Sequence, residues 1–172
     1  VSTDSSTVYV GDKHNNAVRA VVVTTGVVST LAGTGSEVSG DAADGTGSAA
    51  GFKKPKGIAV HPSDGTLLVT EEACKVRKIV ISTGVVTTLA GSLSENCDYA
   101  DGTTTNARFS KPEGIVFNSD GTYAYVADKD NLRVRVIQYA TGRVGTVAGD
   151  GDSDTMDKPT GLALTSDGKT LY

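Results

Sequence analysis

The segment GVVTTLAG, Gly84 to Gly91, decides the fold, because it has two near copies, GVVSTLAG at Gly26 to Gly33 and GRVGTVAG at Gly142 to Gly149. Both intervals are 58 residues, and Arg19, Arg77 and Arg135 keep the same spacing. Self-similarity at a fixed period is the signature of a repeat architecture, in which each unit buries its apolar faces against its neighbours. Just before Gly84, the tight Ser82-Thr83-Gly84 turn joins the segment to a second β-rich run, Val76 to Ile81. Two strands of each repeat are thereby assigned.

The other two come from KPKGIAVHPSDGTLLVTE starting at Lys54, KPEGIVFNSDGTYAYVAD at Lys111 and KPTGLALTSDGKTLY at Lys158. In each, an apolar run meets Asp-Gly (Asp64-Gly65, Asp120-Gly121, Asp167-Gly168) and a second β-rich run follows. Asp-Gly between hydrophobic runs signals a hairpin, because glycine accepts positive φ without a steric penalty. Each repeat therefore reads as four strands, A (GIAV in the middle copy), B (TLLVTE), C (KVRKIVI) and D (GVVTTLAG). Four-stranded units in tandem predict an all-β β-propeller of antiparallel blades, about three of them, as a partial array. Residues 1–172 form one such unit. Within it, 1–33 is a partial blade with strands B to D, 53–91 and 110–149 are blades, and 158–172 starts a further blade. Segments 34–52 and 92–109 are extended inter-blade loops.

The string KPxGhAhxxDGxhhVxD (h, apolar), then N-x-h-R, G-x-V-x-T-h-A-G and a loop with DG-x-x-x-A-x-F, resembles the NHL repeat over essentially the whole chain. Asp128, Asn131, Val134 and Arg135 carry the second element in the third copy, and Asp12, Asn15, Val18 and Arg19 in the first. The middle copy departs from it: Glu71 replaces the Asp, Cys74 replaces the Asn, and it is one residue shorter. The resemblance implies a six-bladed ring, which three copies cannot close alone. The array is expected to belong to a larger protein or to assemble from two copies.

Composition fits this reading. Glycine is abundant (21 residues), aromatics are 5% and there is no Trp, which favours short strands and many turns. Net charge is −4, with Lys and Arg scattered along the strands, so nucleic acid is disfavoured as a partner. No stretch approaches the roughly 20 apolar residues of a membrane span, and VSTDSSTVYV lacks the basic and apolar regions of a signal peptide. A leader lying upstream or already removed stays open.

In a propeller, B-to-C and D-to-A connections emerge on one face. The long segments Thr34 to Phe52 and Ser92 to Phe109 crowd that face and make it the candidate for recognition. Glu71, Glu72, Asp98, Tyr99, Asp128, Lys129 and Asp130 are its candidate binding residues. The same topology brings Cys74 and Cys97 together. A disulfide between them would close a loop of about 23 residues, stabilise by roughly 3 kcal/mol and place the protein in an oxidising, extracellular or luminal setting. The alternative is two unrelated thiols.

Asp41, Asp44, Asp98, Asp101, Asp150, Asp152 and Asp154 are oxygen ligands of the kind Ca2+ uses, with Asp44, Asp101, Asp150 and Asp152 as the calcium candidates. Their spacing matches no EF-hand, and recurrence of Asp44-Gly45 and Asp101-Gly102 at equal blade positions favours turn chemistry, so no cofactor is expected. Recurrence likewise assigns Arg19, Arg77 and Arg135 to pairing with acidic or carbonyl groups rather than to an anionic ligand, and Asp64, Gly65, Asp120 and Gly121 to structure. His14 and His61 sit on turns expected on opposite faces and make no zinc site. The expected function is a non-enzymatic extracellular or cell-surface module. It would bind a protein or glycan partner or pack against copies of itself, as in a fibre. The alternative is a propeller hydrolase or lyase with its catalytic residues in other blades.

Overall fold

The computed structural model describes residues 1–36 and 42–172, so Asp41 and the middle of the Thr34 to Phe52 segment lie outside the described residues. The chain is all-β apart from four single 3-10 turns among the described residues. In order, its strands are β1 (Thr7–Asp12), β2 (Ala17–Val22), β3 (Val28–Gly33), β4 (Gly45–Thr46), β5 (Pro55–Val60), β6 (Thr66–Glu71), β7 (Lys75–Val80), β8 (Val85–Gly91), β9 (Gly102–Thr103), β10 (Pro112–Phe117), β11 (Tyr123–Asp128), β12 (Arg133–Gln138) and β13 (Arg143–Ala148). They form three antiparallel sheets, β1-β2-β3, β4-β8-β7-β6-β5 and β9-β13-β12-β11-β10. The last residues form a short hairpin, with Leu164 bridged to Leu171.

Strands A to D of the middle copy are β5 to β8, and those of the third are β10 to β13. The Asp-Gly turns carry the positive φ that their hairpins need, +71° at Gly65 and +78° at Gly121. The second and third sheets nevertheless hold five strands where four are expected. The fifth, β4 or β9, comes from the long connection preceding strand A. It pairs with the outer strand D of the blade that follows, Gly45 opposite Val86 and Gly102 opposite Val144.

The core lies between blades, and side-chain alternation along a strand divides it. On β6, Leu67 and Val69 join Val18, Ala32, Ile79 and Val86 in the cluster between the first and second blades. Leu68 points the other way, into the cluster with Ile115, Phe117, Ala124 and Val126 of the third blade. Every residue of β6 is therefore buried. Phe52 and Phe109 close the two excursions and are wholly buried, one in each cluster, a burial that stabilises by roughly 1.5–3 kcal/mol apiece. Nearer the inner edge, β5 and β10 approach so closely that a Cβ on Gly57 would lie 2.2 Å from the Glu113 carbonyl oxygen.

Candidate functional site

The recurring arginine is aimed by a recurring irregularity. The C-to-D pairing shifts register between Val18 and Arg19, Val76 and Arg77, and Val134 and Arg135, and such bulges re-aim the side chain beside them. In the second blade Arg77 Nη1 donates to Glu71 Oε1 (2.6 Å) and to the Gly51 carbonyl (3.0 Å), while Nη2 donates to Asp44 Oδ1 (2.8 Å) and the Ala43 carbonyl (3.0 Å). In the third, Arg135 repeats this with Asp128 Oδ2 (2.7 Å), the Arg108 carbonyl (2.9 Å), Asp101 Oδ1 (2.7 Å) and the Ala100 carbonyl (2.9 Å). Thr88 and Thr146, each opposite its arginine in the register, donate hydroxyls to the same aspartates.

The arginine thus clips the excursion to the blade it precedes. Asp44 and Asp101 each use Oδ1 to accept from a guanidinium and a threonine hydroxyl, which makes them ion-pair partners of the repeat's arginines. Asp150 accepts the Thr155 hydroxyl (2.7 Å) and the Asp152 N–H (2.9 Å), which hold its carboxyl below the usual range; Asp152 accepts the Asp154 N–H (3.0 Å). These are turn contacts.

Two expectations for the binding face are corrected by the same geometry. Glu71 and Asp128 are fully buried, because each sits at the end of strand B under its arginine. Burial pushes both carboxyls up and the guanidinium opposes it. Their second oxygens accept the backbone N–H of the lead-in to strand A, or its equivalent, Lys53 to Glu71 Oε2 (3.2 Å) and Ser110 to Asp128 Oδ1 (2.7 Å). The excursions are also not free loops on the face. Residues 42–52 and 100–109 follow the outer edge of a blade and end in its core, because their apolar residues must leave water.

The middle copy's departures acquire a cause. Cys74 adopts φ +63° directly before strand C, the place of Asn16 (+48°) and Leu132 (+55°). Cys74 therefore does not replace the asparagine; the missing residue is the asparagine itself. Asn15 and Asn131 donate to Asp12 and Asp128 in their blades, whereas Glu71 takes the Lys53 N–H instead. Cys74 is bonded to Cys97, with Cα atoms 5.4 Å apart, and fastens the start of the second excursion to the B-to-C turn.

Beside this staple lies a cleft of about 290 Å3 lined by Lys53, Lys54, Glu72, Glu95, Lys111 and Asp130 among others. Its charges are paired: Lys53 with Glu95 (2.5 Å), Lys54 with Glu72 (3.6 Å) and Lys111 with Asp130 (2.7 Å). Two carboxylate oxygens there, Glu72 Oε2 and Glu95 Oε1, are buried without a hydrogen bond, although Lys13 Nζ stands 3.6 Å from the first. Burial raises the Glu72 pKa, but Lys54, Lys56 and Lys13 outweigh it and hold the carboxyl below its ordinary value. Lys54 and Lys111 precede prolines with φ +52° and +47°, backbone that side chains rarely adopt and that surrounding contacts must enforce.

Of the remaining face candidates, Asp98, Tyr99 and Asp130 are exposed and Lys129 is half-buried. The Tyr99 ring lies under the Arg133 guanidinium, 3.9 Å from its centroid, and the Asp98 carbonyl accepts from Asn131 (2.9 Å). Sequence reading passed over Lys53, Lys54, Glu95 and Lys111, although the repeated Lys-Pro was the available signal. His61 is packed between blades against Phe117 and Tyr139, its Nε2 donating to the Gly121 carbonyl (3.2 Å). Among the described residues no three His, Cys, Asp or Glu side chains are placed to share a metal ion.

No family model matches the chain. It is 28% identical over 141 residues to the Bos taurus NHL repeat-containing protein 2, covering 72% of this chain and 19% of the relative. The chain thus spans about a fifth of that relative's length. Among solved structures it superposes on an auxiliary nutrient binding protein from Bacteroides thetaiotaomicron with a TM-score of 0.72 at 18% identity, over 96% of this chain and 42% of the other. A chain of a nidogen/laminin complex gives a TM-score of 0.68 at 15% identity, over 96% of this chain and 51% of that one. At these identities the superpositions show the propeller fold.

Proposed function

We propose that this chain, an arc of an NHL-repeat β-propeller, is a non-enzymatic binding module that takes a protein or glycan partner on the face of its B-to-C turns. The carrying observation is the stapled cleft, which gathers Lys54, Lys111, Glu72, Glu95 and Asp130 from separate connections into one opening beside the B-to-C turns, a mixed-charge lining that can exchange hydrogen bonds with a polar partner. The names of the proteins it resembles, one a nutrient binding protein and one a nidogen/laminin complex, are in keeping with such a role. The Cys74–Cys97 bond supports an extracellular or luminal setting.

The test uses arrays of glycans and of extracellular matrix proteins, probed with the intact protein. Binding that is lost in Lys111→Glu and Glu95→Gln but kept in Arg143→Glu, on the outer strand, supports the reading. Binding indifferent to the face substitutions overturns it. Thiol counting by mass spectrometry on native material tests the compartment, where two free thiols would contradict it.

A further inference from the structure

On the face of the A-to-B and C-to-D turns, the two junctions between blades differ. Between the second and third blades the gap is plugged by the rings of His61, Phe117 and Tyr139, whose centroids are 4.6 to 5.5 Å apart. The Tyr139 hydroxyl donates to Asp64 Oδ2 (2.5 Å) and lies 2.7 Å from the Thr66 hydroxyl. Between the first and second blades the same places carry smaller side chains. Ser2 stands where His61 does, the N–H of each donating to the carbonyl of the residue that opens strand B, Thr7 or Thr66. Val60 ends its strand A as Phe117 does, and Ile81 follows its strand C as Tyr139 does. A cleft of about 510 Å3 lies there instead of a plug. Every position of the plug has its counterpart within residues 2–81, so the opening comes from side-chain size.

The acceptor that holds the tyrosine recurs as well. Asp4, like Asp64, uses Oδ1 to accept the N–H and hydroxyl of the residue two further on, Ser6 or Thr66. Asp64 Oδ2 takes the Tyr139 hydroxyl, whereas Asp4 Oδ2 receives no hydrogen bond among the described residues. Bonds from Ser2 and Ser6 hold the Asp4 carboxyl down to about 2, so at neutral pH it is ionised and only accepts. Tyr9, Val60 and Ile81 line the cleft with apolar surface, and Thr3, Ser63 and Ser82 border it with hydroxyls. Such a lining suits a ligand with an apolar ring face and several hydroxyls at its edge.

We propose that this cleft is a binding site for a pyranose sugar residue, whose ring takes the space that Phe117 and Tyr139 fill at the next junction and whose hydroxyl donates to Asp4 Oδ2. A phenol would bring one hydroxyl; a pyranose brings several, which matches the rim. The site lies on the face opposite the B-to-C turns and is independent of the charged cleft there.

The test titrates methyl pyranosides of the common hexoses, and p-cresol, into the isotope-labelled intact protein. Saturable amide shifts at residues 2–7, 60–65 and 80–82 are expected with at least one sugar. Asp4→Asn, which keeps an Oδ1 acceptor for the turn, should weaken binding about tenfold. Ile81→Tyr, which copies the filled junction, should abolish it, and Lys111→Glu in the other cleft should leave it unchanged. No sugar shifts at tens of millimolar, shifts centred elsewhere, binding of p-cresol alone, or sugar binding indifferent to both Asp4→Asn and Ile81→Tyr would overturn the proposal.

Discussion

The first and third blades share strands B to D, the same bulge and the same arginine, yet their outer strands live in different worlds: Val28 is bare where Val144 is covered. The difference is one clipped excursion. It teaches that the blade unit is not four strands but four strands plus the connection that precedes them, locked by Arg, Asp and Thr. The energetics of a repeated position depend on what packs against it: Arg135, with Asp101 against it, is 0% exposed, whereas Arg19, held by Asp12 and Thr30, is 26% exposed.

The largest expected effect would come from removing the hub. Arg135→Ala strands Asp128 in the core and should cost about 3–5 kcal/mol, whereas Arg19→Ala, beside a solvated Asp12, should cost about 0–1 kcal/mol. Urea midpoints of the two variants compare them, and equal losses would break the contrast. The disulfide tests a second asymmetry, since only the middle B-to-C turn carries one. Cys97→Ser should lower stability by about 3 kcal/mol with the second excursion detached first, seen as early amide exchange at residues 92–99.

A smaller contrast is Val86→Thr against Val28→Thr. The first buries a hydroxyl and should cost about 1–3 kcal/mol, while the second, on the bare edge, should stay within about 0.5 kcal/mol. The smallest concerns acid. Burial raises the Glu113 carboxyl, but Lys56 (2.6 Å) and Lys129 (3.0 Å) prevail and hold it below its ordinary value. A depressed folded value means that this tie between blades contributes fully above the ordinary glutamate range and is lost as pH falls through the folded value. Glu113→Gln should therefore lower stability at neutral pH by the contribution of this tie, leave stability in strong acid unchanged and so flatten the acid limb; a limb as steep as wild type would remove Glu113 from it.

Much of this was legible in the chain itself. The 58-residue period, the Asp-Gly hairpins and the β-rich runs beside them dictate the strands, and recurrence pointed to acidic and carbonyl partners for Arg77 and Arg135, which both contact, because these are local or repeated signals. What binds Glu71 and Asp128 in the core, rather than displaying them, is contact between residues far apart, and so is the pairing of Gly45 with Val86 across the intervening three strands. The cleft, too, gathers Lys53, Glu95, Lys111 and Asp130 from separate connections. Local pattern determines which strands form and which way their side chains alternate. Only packing decides which connection covers which edge, because burial of Phe52 and Phe109 and neutralisation of the arginines are satisfied together in three dimensions and by no single stretch of sequence.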